Sequence, residues 1–163
     1  MDATTTLIER NEAYAADFDR SGLASPPALK IAIVTCMDAR LQPASAFGLD
    51  LGDAHVIRNA GGVVTDDVIR SLSISQHHLG TTEVMVVHHT QCGMLTFTDE
   101  EFAKALEQEA GERPTWAART FQDLEADVRD GVERIRQSPF IPHRDSVRGF
   151  VYDVATGQIH EVA

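Results

Sequence analysis

The chain holds two cysteines, and each stands at the end of an apolar run. Cys36 follows Ile31-Ala32-Ile33-Val34 and opens Cys36-Met37-Asp38-Ala39-Arg40. Cys92 follows Val84-Met85-Val86-Val87 and closes His89-Thr90-Gln91-Cys92. His89 and Cys92 are three apart, a spacing that puts both side chains on one side of a turn. Thiolates and an imidazole together favour zinc. Cys36, His89 and Cys92 would supply three protein ligands, whereas a structural zinc site is normally closed by four. Three leave a position open for chemistry. A buried, inert thiol is the ordinary fate of a cysteine, but it does not account for the residues that surround these two.

Charge adds a second requirement. Zinc at +2, two thiolates and a neutral imidazole sum to zero, so the centre acidifies water less than zinc held by three histidines would. A neighbouring group must help. Asp38, two residues after Cys36, can accept a hydrogen bond from water at the open position and aim an oxygen lone pair. Arg40, two further on, can hold that carboxylate in a bidentate pair and keep it ionised. His88 adjoins His89, but successive side chains of a strand point to opposite faces, so His88 is expected to pack rather than ligate.

Strands and helices alternate along the chain, which predicts an α/β fold: a mostly parallel sheet of about five strands, flanked by helices, with an antiparallel edge hairpin. Strands are expected near 30–35, 54–58 and 83–88, then from Val147 to Val154 and Gln158 to Val162, with a tight turn at Ala155-Thr156-Gly157. Residues 4–19 have helical composition, with Leu7, Ala13 and Phe18 on one face. A short helix is expected over 43–47. Thr65 caps a helix that ends at Gly80. Another runs from Thr98 to near Gly111, and a long amphipathic one covers 120–137. The two motifs then lie at the carboxyl ends of strands, where open parallel sheets bind ligands.

The chain of 163 residues suffices for one core, read as a single domain 1–163 with an N-terminal helical arm 1–25 and a core 26–163. A net charge of −11 argues against nucleic acid and anionic membrane surfaces. No apolar stretch approaches the roughly 20 residues of a membrane helix, and the N-terminus has no signal-peptide pattern. Free thiols suit a reducing compartment, so a cytoplasmic location is expected. The cysteines do not form a Cys-x-x-Cys pair, which argues against a thiol oxidoreductase.

Together these motifs resemble those of the beta-class carbonic anhydrases. That family carries Cys-x-Asp-x-Arg after its first strand and His-x-x-Cys-Gly after its third, matched here by Cys36, Asp38 and Arg40 and by His89, Cys92 and Gly93. Arg58-Asn59-Ala60-Gly61-Gly62 is similar to the segment between them, and the short mycobacterial-type members are the most alike. The resemblance implies one zinc ion per subunit on Cys36, His89 and Cys92, with Asp38 and Arg40 as a catalytic dyad. It implies reversible hydration of carbon dioxide to bicarbonate and a proton by zinc-bound hydroxide. It also implies a homodimer or tetramer whose N-terminal helix embraces the partner. Hydrolysis of carbonyl sulfide or carbon disulfide on the same scaffold is the alternative, and a non-enzymatic zinc protein the third reading. Gly61 and Gln91 are candidate cleft-lining residues. Gln91 stands where related chains often have Asp, and Ala39 where many have Ser.

Overall fold

In the computed structural model, which describes residues 2–163, β1 (Ile31–Cys36) and β3 (Glu83–His89) are parallel neighbours at the centre of a five-stranded sheet. β2 (Ala54–Asn59) pairs with the outer side of β1, and β4 (Val147–Tyr152) with the outer side of β3, all parallel. β5 (Ile159–Glu161) joins β4 antiparallel, giving the order β2-β1-β3-β4-β5. The α/β expectation is borne out. β1 and β3 read as nearly continuous apolar runs because both of their faces are covered, as parallel central strands require.

The strand order places the site. From β1 the chain moves outward to β2, then crosses back to lay β3 on the other side of β1. The space between the carboxyl ends of β1 and β3 is therefore the topological switch point, where such sheets bind ligands. Cys36 ends one of these strands and His89 the other.

Among the described residues five α-helices flank the sheet: α1 (Ala3–Ala16), α2 (Pro43–Phe47), α3 (Asp66–Leu79), α4 (Asp99–Ala110) and α5 (Leu124–Gln137). The Thr65 side chain accepts from Val68 N at the start of α3, and Gly80 closes it in the left-handed conformation. α3 buries Val68 and Leu72, and α5 buries Val132 and Ile135, in one core with Ala32, Val34, Val84 and Val86. Burying such side chains stabilises the domain by about 1.5–3 kcal/mol each.

Two helices differ from expectation. The helix expected over 120–137 begins only at Leu124, because the Asp123 side chain caps Ala126 N. Thr120 is instead held by Asp99, which accepts from its backbone N at 2.8 Å and its hydroxyl at 2.7 Å. Helix α1 ends at Ala16, not residue 19, and none of its residues is buried within this chain. Its apolar residues Leu7, Ile8 and Tyr14 are exposed, as is Phe18 just beyond it.

Candidate metal centre

The structure brings Cys36, His89 and Cys92 together. Their donor atoms all lie within 4.8 Å of one another, and all three residues are buried. Among the described residues no other group of three such side chains converges. The histidine tautomer follows from its partner. His89 Nδ1 lies 2.8 Å from the Thr90 carbonyl, which can only accept, so Nδ1 carries the hydrogen and Nε2 keeps a lone pair. That Nε2 is buried with no hydrogen-bond partner. An orphaned buried nitrogen is costly, and a metal ion beside the two sulfurs would satisfy it.

The thiols make the same point electrostatically. A hydrogen bond from Cys92 holds the Cys36 thiol down to about 4, against the opposing effect of burial. The same contact, with burial, pushes the Cys92 thiol up. The contact thus favours a single proton shared by the two sulfurs. A divalent cation can take the place of that proton and leave both sulfurs as ligands. The donor set therefore fits a metal that favours sulfur and imidazole.

Asp38 and Arg40 lie beside this cluster. Arg40 Nε donates to Asp38 Oδ1 at 3.0 Å and Nη2 to Oδ2 at 2.8 Å, a bidentate fork. Arg40 N adds a third bond to Oδ1 at 2.9 Å. The guanidinium hydrogen bond holds the Asp38 carboxyl well below the usual carboxylate range. Asp38 Oδ2 stands 3.7 Å from His89 Nε2, at the edge of the donor cluster. Arg40 Nη2 also donates to Gln91 O at 3.0 Å, tying the β1 loop to the β3 loop.

A cleft of about 580 Å³ opens from the cluster, lined by Cys36, Asp38 and Cys92 at its base. Val63, Met94, Phe97 and Trp116 form much of its wall. Behind it Cys36 and Cys92 pack with Val63, Met94 and Phe121, so apolar side chains enclose the polar donors. This lowers the local dielectric and strengthens every charge interaction at the base.

The two glycines of the segment between the motifs have different tasks. Gly61 lines the cleft, but the close backbone approach belongs to Gly62. Gly62 has φ +70°, and a Cβ there would lie 2.8 Å from Thr35 C and 2.9 Å from Cys36 N. Gln91 does not line the cleft, contrary to its reading as a cleft residue. With φ +55° it lies in a tight turn with its side chain exposed, and its carbonyl engages Arg40. His88 faces away from the cluster, as strand alternation requires. Its Nε2 lies 2.7 Å from Asp127 Oδ2, and its ring packs on Phe121.

One residue of the site escaped the sequence reading. Arg58, in β2, donates to the backbone carbonyls of Cys36, Asp38 and Leu41. Its position before Asn59-Ala60-Gly61-Gly62 was visible, but carbonyl acceptors carry no sequence signal.

Comparison with known proteins agrees with the geometry. A carbonic anhydrase family model matches residues 31–122. The chain is 52% identical to beta-carbonic anhydrase 1 of Mycobacterium tuberculosis over 162 residues, covering 99% of both chains. It is 37% identical to a carbon disulfide hydrolase of Acidianus, over 79% of this chain and 75% of that one. A carbonic anhydrase structure from Streptococcus mutans superposes with a TM-score of 0.94 at 45% identity, covering 100% of this chain and 99% of the other. With its three-donor cluster at the β1/β3 switch point, the chain belongs to the beta-carbonic anhydrase family.

Proposed function

We propose that the protein hydrates carbon dioxide reversibly to bicarbonate and a proton, with one zinc ion per subunit on Cys36, His89 and Cys92. The observation that carries this reading is the buried, partnerless His89 Nε2 set within 4.8 Å of two sulfurs. Zinc in that place supplies a Lewis acid that brings the pKa of water toward neutrality. The chain's own residues do the rest. Asp38, ionised and gripped by Arg40, accepts a hydrogen bond from the attacking water and orients its lone pair toward carbon. The apolar wall of Val63, Met94 and Phe97 favours an uncharged gas over water, and bicarbonate leaves toward the open mouth. The proton passes to buffer.

Asp38→Asn is expected to keep its zinc and lose about 100-fold in kcat, the lower end of what a positioned acid–base group contributes. An unchanged kcat in the zinc-loaded variant would remove Asp38 from the mechanism.

The second reading, hydrolysis of carbonyl sulfide or carbon disulfide, is favoured by the relatives named for the latter activity. A cleft of about 580 Å³ is far roomier than any of these three-atom substrates needs, so its size does not choose between them. Assay of carbon dioxide and carbonyl sulfide with one zinc-loaded preparation decides: much faster carbonyl sulfide turnover would reverse the order of the two readings.

The assembly is proposed as a homodimer or tetramer, with residues 1–25 as an arm on a single core 26–163. Exposed Leu7, Ile8 and Tyr14 on a helix with nothing buried support a partner there. Replacing Leu7 and Ile8 together by Glu is expected to lower the mass seen in sedimentation equilibrium, and an unchanged mass would remove the arm from the interface. No helix among the described residues is long and apolar enough to cross a membrane. A cytoplasmic site of action, where thiols stay reduced, completes the proposal.

A further inference from the structure

We propose that Arg58 is a positioning residue for the metal centre: its guanidinium fixes the backbone that carries Cys36 and Asp38, and so sets metal affinity. The inference rests on the metal reading above. Arg58 Nε donates to Cys36 O at 2.9 Å, and Nη2 donates to Asp38 O and to Leu41 O, each at 2.8 Å. Nη1 reaches Gln42 Oε1 at 3.4 Å.

Three of these acceptors are main-chain carbonyls of the stretch 36–41, where the chain leaves β1, and of them Asp38 O also accepts from Leu41 N at 3.1 Å. Met37 N is held separately, by Asn59 O at 2.8 Å, so β2 grips the loop through both backbone and side chain. Arg40 and Arg58 divide the task. Arg40 holds the Asp38 side chain, and Arg58 holds the Asp38 main chain. The backbone of residue 36 sets where its Sγ lies, and that of residue 38 sets where its carboxylate points. One guanidinium therefore governs both the sulfur ligand and the carboxylate beside it.

The chemistry demands arginine. Carbonyls on residues 36, 38 and 41 are spread along the loop, and a planar fork of five N–H donors can meet them together. Lysine carries its three donors on one nitrogen and cannot span that distance, although it keeps the charge. Charge alone would therefore be rescued by Arg58→Lys, and positioning would not.

The test compares wild type, Arg58→Lys and Arg58→Ala as full chains. Zinc affinity is read by chelator competition, unfolding by the thermal transition of the zinc-free protein, and kcat and KM at saturating zinc. Arg58→Lys is expected to fold cooperatively and to bind zinc about 10- to 100-fold more weakly, as removal of a ligand's supporting partner generally does. At saturating zinc its kcat is expected to fall with KM little changed, because Asp38 is misaimed while the apolar cleft is intact. Arg58→Ala is expected to show the same losses or larger, and if it does not fold, Arg58→Lys decides alone. Wild-type zinc affinity in folded Arg58→Lys would overturn the proposal. So would failure of Arg58→Lys to fold, which would make Arg58 a folding residue instead. A wild-type chain that takes up no zinc would overturn the metal reading and this inference together. Zinc uptake without carbon dioxide hydration would sink the activity alone.

Discussion

Cys36→Ser is expected to lose zinc binding by more than about 100-fold, beyond what loss of a supporting partner costs, and to lose carbon dioxide hydration with it. Serine is nearly the same size, so the packing with Val63, Met94 and Phe121 should survive. Its hydroxyl, however, is a poor ligand beside a thiolate and does not ionise near neutral pH. The variant also leaves His89 Nε2 buried without the partner that zinc would supply. Burying a hydroxyl in place of the thiol costs roughly 1–3 kcal/mol, so a cooperative but lower thermal transition is expected. Zinc content, unfolding and hydration rate measured across pH on one preparation check all three. Full zinc with retained activity would remove Cys36 from the site.

Gly62→Ala is the second large effect, and it acts through the backbone. The position requires φ +70°, which L residues with a Cβ adopt only at a cost of about 1–3 kcal/mol. The added methyl would also press on Thr35 C at 2.8 Å and Cys36 N at 2.9 Å. Those atoms belong to the central strand β1, where Thr35 is fully buried and bonded to Val87 O at 2.8 Å, so they cannot give way cheaply. Overpacking of this kind adds about 1–3 kcal/mol. The two costs together, about 2–6 kcal/mol, are expected to lower Tm by roughly 4–24 °C and to weaken zinc binding by moving Cys36. Gly61→Ala makes the matching control. Its methyl would meet the side chains of Met94 at 3.0 Å and Phe121 at 3.1 Å, which can yield where backbone cannot. A Gly62→Ala protein with wild-type Tm and zinc content would show that the close approach does not position the ligand.

Much of the fold was legible because its signals are local. The apolar runs before Cys36 and His89 announce buried parallel strands, and Gly80 and Gly111 announce helix ends that the structure confirms. The metal donors and the Asp38–Arg40 pair were legible as candidates because their residue types carry the chemistry themselves. What escaped depends on contacts between distant segments. Arg58 acts on carbonyls, which every residue has, so nothing in the sequence marks 36, 38 and 41 as its targets. Gly61 and Gly62 look alike until the path of β1 beside them is known. Gln91 reads as a cleft residue because it sits between two donors, but a left-handed turn leaves its side chain outside and presents its carbonyl to Arg40. The stretch 120–123 keeps helical periodicity, yet Asp99 captures Thr120 from a segment 21 residues away and the helix starts later.

The central claim is that three side chains, two sulfurs and one nitrogen, hold a single zinc ion and leave a position free. Zinc-edge X-ray absorption of the zinc-loaded wild-type protein tests it most directly. The account expects one zinc per chain with two sulfur neighbours at ~2.3 Å, and two nitrogen or oxygen neighbours at ~2.0–2.2 Å. A shell of four sulfurs, a shell with one sulfur or none, or a protein that takes up no zinc would contradict it.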